Sequence, residues 1–275
     1  MWRLSKRIKE LKEKLKVESI SDDSSSWISS CFKTEETFSF SKLRTESSQR
    51  DYFRFNFQGK NFILMYAPKG IDESIESFCK KAEVFKSFQV KVPEIYFRND
   101  DLCHLIIEDF SDNLFQLTIT QDNSDTLIKS ALDQLIRIQN IDCDADIFEH
   151  FDLDKSIANK DLFVDFFCRG YLNLSDASIP FDTINEGYEF ILKRFYELPM
   201  CISHYDFETR NLIYLDSKET GVLDFQDAMI APYALDLASL IKDLYMVWDK
   251  RQVGDWLDYY IKNTENIEIK SSKDL

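Results

Sequence analysis

The sequence predicts an α+β protein, β-rich in its first part and helical in its second. Three observations predict it. "YFRFNF" at 52–57 alternates Phe53, Phe55 and Phe57 with Tyr52, Arg54 and Asn56, the period-two pattern of a strand with two unlike faces. From about residue 125, Leu127, Ile128, Ala131, Leu132, Leu135 and Ile138 keep a helical period. A single β stretch, "CISHYDFETRNLIYLDSKETGVLDFQDA" at 201–228, is set into that helical part.

The elements follow in order. Residues 1–16 hold seven Lys or Arg against two Glu, about +5 in a chain of net charge −15. Leu4, Ile8, Leu11 and Leu15 share one helical face, so 1–20 is expected as a basic amphipathic helix docked on the neighbouring domain. Ser21 to Ser30 reads as a polar, Ser-rich connector interrupted by Trp27 and Ile28. "YFRFNF", the turn "QGKN" and the returning "FILMYA" make two strands. A helix over about Asp72 to Ser87 carries Ile75, Phe78, Ala82 and Phe85 on its buried stripe. "KVPEIYF", an Asn99-Asp100-Asp101 turn and "LCHLIIEDF" make a second hairpin, and the boundary falls just after Asp109-Phe110. This divides the chain into an N-terminal domain, 1–110, and a C-terminal domain, 111–275. Further helices are expected near 160–172, 184–197, 233–248 and 251–262. The Phe and Tyr residues of 162–172 are expected as helix core rather than as a substrate platform.

Composition bounds the function. At 275 residues and 44% hydrophobic, the chain can bury one large core or two modest ones. The acidity argues against a nucleic-acid partner. Six cysteines, at 31, 79, 103, 143, 168 and 201, form no Cys-x-x-Cys pair and read as reduced, buried apolar residues. The longest clean apolar stretch, Phe62 to Ala67, is far too short to span a bilayer, so no transmembrane segment and a cytoplasmic location are expected. Six glycines, at 59, 70, 170, 187, 221 and 254, form neither Gly-x-Gly-x-x-Gly nor Gly-x-x-x-x-Gly-Lys, which argues against a P-loop nucleotide site.

The chemistry concentrates in 201–228. "NLIYL" runs as a strand, "DSKET" turns, and "GVLDF" returns. An antiparallel hairpin makes neighbours of Asn211 at the start of one strand and Asp224 near the end of the other. An amide oxygen and a carboxylate at one rim suit Mg²⁺, which takes few protein oxygens and keeps room for water and phosphate. Asp206, on the loop leading in, can accept a proton from a substrate hydroxyl.

The pattern His-x-Asp-x-x-x-x-Asn, then strand, turn, strand and Asp-Phe, resembles the catalytic and metal-binding segments of protein-kinase-like phosphotransferases. Asp224-Phe225-Gln226-Asp227-Ala228 stands where a protein kinase has Asp-Phe-Gly. "APYALDLASLIKD" narrows the resemblance to the aminoglycoside phosphotransferase and choline kinase superfamily. Within it, "GVLDFQDAMIAPYALDLASLIKDLY" is most similar to bacterial anomeric N-acetylmuramate and N-acetylglucosamine kinases of cell-wall recycling. "DYFRF", "VPEIY" and "LIIEDF" extend the likeness more weakly into the first half, to cover about 44 to 262.

The resemblance implies a bilobal protein-kinase-like fold, with a small antiparallel sheet binding ATP and a larger helical lobe binding a small-molecule acceptor. It implies Asp206 as catalytic base, and Asn211 and Asp224 as holders of Mg²⁺ on the ATP phosphates. His204 would brace the catalytic loop, and Asp236 would tie its helix to that loop. Glu208, Arg210 and Asp227 would face the acceptor. The backbone near Glu108 and Phe110 would meet the adenine. Ser47, Ser48 and Arg50, in "RTESSQRDY", would cover the phosphates. The acceptor is a sugar or amino sugar, with an aminoglycoside or choline as the alternative. A non-catalytic pseudokinase is a third reading, because the phosphate-anchoring lysine is missing. Met65 or a neighbour stands in its place, and its helix partner is open between Glu76 and Glu83.

Overall fold

A computed structural model describes residues 20–43, 49–70, 74–142, 147–152, 160–215, 218–243 and 246–264. The expected basic helix at the start, Ser47 and Ser48 lie outside the described residues. Contacts group the chain into two units, Met1–Thr118 with Arg210–Gln226, and Ile119–Thr209 with Asp227–Leu275.

In the first unit, α1 (Asp22–Phe32) precedes β1 (Ser41–Lys42), β2 (Asp51–Phe57) and β3 (Lys60–Tyr66). Then come α2 (Ile75–Ser87), β4 (Ile95–Asn99), β5 (His104–Glu108) and the short α3 (Phe115–Thr118). The strands form one antiparallel sheet in the order β1-β2-β3-β5-β4. The period-two pattern works as expected. Phe53, Phe55, Phe62, Leu64 and Ile106 share one face and form a buried cluster with Ile28 of α1.

The helix α1 corrects the expected connector at Ser21–Ser30. Ser21 caps it, its Oγ accepting the Ser24 N–H at 3.2 Å, and Asp22 and Asp23 sit in its first turn, where the helix dipole favours acids. Serine is a poor helix former in isolation, but burying Ile28 against the sheet outweighs a few tenths of a kcal/mol per residue.

The second unit holds α4 (Ser124–Gln139), α5 (Phe181–Tyr196), β6 (Met200–Ser203), β9 (Met229–Pro232), α6 (Ala234–Ile241) and α7 (Lys250–Asn263). Its interior includes Trp256 and Tyr260 of α7, both buried. Tyr260 donates its hydroxyl to Gln139 Oε1 of α4 at 2.5 Å, and Gln139 donates to the Tyr233 carbonyl at 2.9 Å. Strands β6 and β9 pair antiparallel from Met200↔Pro232 to Ser203↔Met229.

Two expectations are corrected here. The segment Phe163–Tyr171 is π-helical, and it buries only Val164 and Cys168. Phe166 and Tyr171 stand 68% and 76% exposed, and Phe163, Phe167 and Tyr171 stack in a ladder at 5.2 and 5.8 Å. Those aromatic residues are therefore mostly surface, not helix core. The helix expected over 233–248 ends at Ile241, which leaves Asp243 outside it.

The remaining hairpin, β7 (Leu212–Tyr214) and β8 (Thr220–Val222), belongs to the first unit. Its backbone explains why. Tyr214 N–H donates to the Asn113 carbonyl at 3.0 Å and Val222 N–H to the Lys91 carbonyl at 2.8 Å. Ile213 forms a further bridge with Leu114. Among the described residues no helix is long and apolar enough to cross a membrane.

Candidate active site

The loop that carries Asp206 leaves β6 at Ser203. Strand β9 returns beside β6, and α6 begins two residues after it, so Asp236 in the first turn of α6 comes back under the loop. Asp236 is fully buried. Its Oδ2 accepts the His204 N–H at 2.6 Å and its Oδ1 accepts the Tyr205 N–H at 2.9 Å. Burial pushes the Asp236 carboxyl above the usual range, against His204 and the two N–H groups, which favour the charged form. Tyr205 takes a left-handed backbone, φ 78°, which a non-glycine residue adopts at a cost. Its N–H is also 3.1 Å from Ser203 Oγ. Asp236 thus holds a strained turn directly ahead of Asp206.

His204 is fully buried. Its Nδ1 accepts the Asp206 N–H at 3.3 Å, so the ring braces the peptide of the next-but-one residue. Asp206 is half-buried and its carbonyl accepts the Glu208 N–H at 2.9 Å. The far end of the loop is tied by Asp243, whose Oδ2 accepts the Thr209 N–H at 3.0 Å and the Thr209 hydroxyl. Sequence reasoning missed Thr209 and Asp243. The available signal is a second acid seven residues, about two helical turns, beyond Asp236.

In the first unit, Asn211 and Asp224 flank the open end of the β7–β8 hairpin. Leu212 pairs with Val222, and one step further the Leu223 N–H donates to the Asn211 carbonyl at 2.9 Å. Asn211 is 9% exposed and Asp224 half-buried. Asp224 also has a left-handed backbone, φ 60°. Its Oδ1 accepts Gln226 Nε2 at 2.6 Å. Phe225 turns inward, with ring centroids 4.7 Å from Phe78 and 5.6 Å from Phe85, both on α2. An amide oxygen and a carboxylate so placed are the hard donors that Mg²⁺ takes. Among the described residues no group of three or more His, Cys, Asp or Glu gathers for a metal.

The surroundings of the other expected residues are as follows. Arg50 is 1% exposed, with its guanidinium over the Phe78 ring at 5.4 Å. The Glu108 N–H donates to the Glu94 carbonyl at 2.8 Å. Phe110 is buried against Gly221 and lies under the Lys91 ammonium at 5.4 Å. Glu208 and Arg210 are half-buried, and Asp227 is exposed. At the expected lysine position Met65 is fully buried. Neither open partner on α2 faces inward: Glu76 pairs with Lys80 at 2.7 Å on the surface and Glu83 is exposed. The inward charge on α2 is Lys81, whose ammonium donates to the Gln226 carbonyl.

Residues 39–268 match the model of a family described as "Phosphotransferase enzyme family". An N-acetylmuramate/N-acetylglucosamine kinase of Pseudomonas putida is 28% identical over 224 residues, 81% of this chain and 65% of that protein. One of the same name from Neisseria meningitidis is 25% identical over 239 residues, 85% of this chain and 70% of that protein. The chain spans about two thirds of the length of these relatives. Among solved structures, the choline kinase LicA of Streptococcus pneumoniae superposes with a TM-score of 0.64 at 14% identity, covering 90% of this chain and 82% of that one. A streptomycin–ATP–APH(2")-IIa ternary complex superposes with a TM-score of 0.62 at 18% identity, covering 89% of this chain and 83% of that one. These likenesses establish the protein-kinase-like fold, an antiparallel sheet region followed by a helical part. With the family model matching residues 39–268, most of the chain, the chain belongs to the phosphotransferase enzyme family.

Proposed function

We propose that the chain is a small-molecule kinase that moves the γ-phosphoryl group of ATP to a sugar hydroxyl, the anomeric hydroxyl of N-acetylmuramate or N-acetylglucosamine. The observation that carries this reading is the set Asp206, Asn211 and Asp224 in a chain whose relatives bear that kinase name. Asp206 accepts the proton of the attacking hydroxyl. His204, Asp236 and Asp243 hold the loop so that this carboxylate is pre-placed, and rate comes chiefly from positioning. Asn211 and Asp224 are the residues that would hold Mg²⁺, which would neutralise charge on the transferring phosphate. Glu208, Arg210 and Asp227 orient the acceptor. The backbone around Glu108 and Phe110 meets the adenine, and the role of covering the phosphates falls to Ser47, Ser48 and Arg50.

The test is ATP consumption against N-acetylmuramate, N-acetylglucosamine, a kanamycin-type aminoglycoside and choline. Turnover on the two amino sugars alone supports the reading. Turnover on the aminoglycoside or choline replaces the acceptor and keeps the chemistry. Absence of Mg·ATP binding by calorimetry favours a pseudokinase instead. Asp206→Ala is expected to lower kcat by about 100- to 10,000-fold while ATP still binds. A near-normal rate in that variant removes Asp206 as the base.

A further inference from the structure

We propose that Lys81 and Gln226 are positioning residues that aim the Asp224 carboxylate at a nucleotide-bound divalent cation. This rests on the metal role given to Asp224 above. Lys81 is 7% exposed in the middle of the inward stripe of α2, beside Phe78 and Phe85. Lysine is almost never buried without an acceptor, and this one donates to the Gln226 carbonyl. Gln226 is itself 6% exposed, and its Nε2 donates to Asp224 Oδ1 at 2.6 Å. The chain of contacts runs from α2 through one peptide and one amide to the carboxylate.

The amide's direction is informative. An ionised carboxylate only accepts, so Gln226 must turn its NH₂ toward Asp224. That choice leaves Gln226 Oε1 buried with no hydrogen-bond partner. Buried amides ordinarily satisfy both ends. Here the acceptor end is sacrificed and the donor end kept on Asp224. The backbone of Asp224 is left-handed, so its side-chain direction depends on what fixes the turn. Phe225 between Phe78 and Phe85, and Lys81 on the Gln226 carbonyl, fix it from the same helix. The amide engages Oδ1, which leaves Oδ2 as the oxygen for a cation. Placing the lysine charge on a carbonyl also matters. An ammonium paired directly with Asp224 would compete with a cation for the same oxygens, whereas at one remove it stabilises the acidic turn and leaves Oδ2 available.

The experiment is calorimetric titration of ADP, with and without Mg²⁺, into wild type, Lys81→Met, Lys81→Arg and Gln226→Ala. Mg²⁺ is expected to tighten ADP binding to wild type. Gln226→Ala and Lys81→Met should lose about tenfold or more of that gain, the usual cost of removing a support behind a metal ligand. Metal-free ADP binding should stay close to wild type in both, and Lys81→Arg should recover most of the gain. If Lys81→Met does not fold, Gln226→Ala decides alone. Full retention of the Mg²⁺ gain in Gln226→Ala overturns the proposal, as does an equal loss of metal-free binding. No Mg²⁺ gain in wild type overturns the metal role of Asp224, and the relay falls with it.

Discussion

The Asp243 carboxylate accepts both the peptide N–H and the hydroxyl of Thr209, with the N–H at 3.0 Å. Asp243 is 7% exposed and Thr209 not at all, so water does not replace either bond. Together with Asp236 at His204 and Tyr205, this ties the Asp206 loop at both ends to one short segment of chain. Asp243→Ala is expected to destabilise the protein by about 1–3 kcal/mol, because two buried donors lose their acceptor. Thr209→Val removes only the hydroxyl and should cost less. Urea unfolding of the two variants checks the order, and a larger loss in Thr209→Val contradicts it.

His104 links α1 to the sheet. Its Nε2 is 2.8 Å from Ser24 Oγ, and its Nδ1 meets the Leu102 carbonyl. A carbonyl only accepts, so Nδ1 carries the proton of the neutral ring and Nε2 takes the serine hydroxyl. Burial holds the His104 pKa below its ordinary 6.5. The sign follows. The folded state prefers the neutral ring, so the stabilisation is present above the unfolded pKa and drains away as pH falls toward the folded value. Unfolding free energy should therefore decline more steeply in wild type than in His104→Gln as pH falls below the ordinary 6.5. Parallel slopes in denaturant titrations would count against this.

Much of this architecture was legible in sequence, and the misses have physical causes. Alternating Phe residues reveal strands because a sheet with one packed face demands period two, and β2 and β3 obey it. Spacing alone put Asn211 and Asp224 at one rim, because antiparallel pairing leaves little freedom once the turn is placed. The serines of α1 misled because capping and burial, both set by context, outweigh their weak intrinsic preference. Lys81 was hidden because a charged residue on an apolar stripe looks like its surface edge, whereas here it is buried and donates to the Gln226 carbonyl. Asp243 was hidden because the helical period runs on past Ile241 while the backbone does not. Phe166 and Tyr171 misled in the opposite direction, since the π-helical turn rotates them off the face that an α-helical period assigns.

Gly221 sits where a side chain does not fit. A Cβ there would lie 2.7 Å from two ring carbons of Phe110. The ring is buried and held under Lys91, so it has little room to retreat. Gly221→Ala should destabilise by about 1–3 kcal/mol through overpacking. Phe110→Leu is expected to relieve part of that loss in the double variant. Thermal unfolding of the double-mutant cycle measures the coupling, and simple additivity would show that the two positions do not collide.

Arg54 on β2 closes a clasp over the stretch after β5 by engaging two acids of unlike burial. Asp109 is 4% exposed at its side chain and Asp112 is 76% exposed. Arg54 Nη2 donates to Asp109 Oδ1 at 3.0 Å, while the 2.5 Å approach of Nε to Asp109 Oδ2 is an ion contact outside hydrogen-bond geometry. Asp112 accepts from both terminal nitrogens, at 2.7 and 2.9 Å, and those bonds hold its carboxyl below the usual range. Burial rather than bond count decides the energetics. Asp112→Ala loses a solvent-screened pair and should cost at most about 1 kcal/mol. Arg54→Met leaves the Asp109 charge buried with the Ser111 N–H at 2.9 Å to meet it. That should cost roughly 3 kcal/mol, the low end for a broken buried pair, because Arg54 is itself a fifth exposed. Replacing Asp109 by Asn in the Arg54→Met background removes the stranded charge and should recover part of the loss. Equal effects of Arg54→Met and Asp112→Ala in urea unfolding would mean that the exposed acid, not the buried one, holds the clasp.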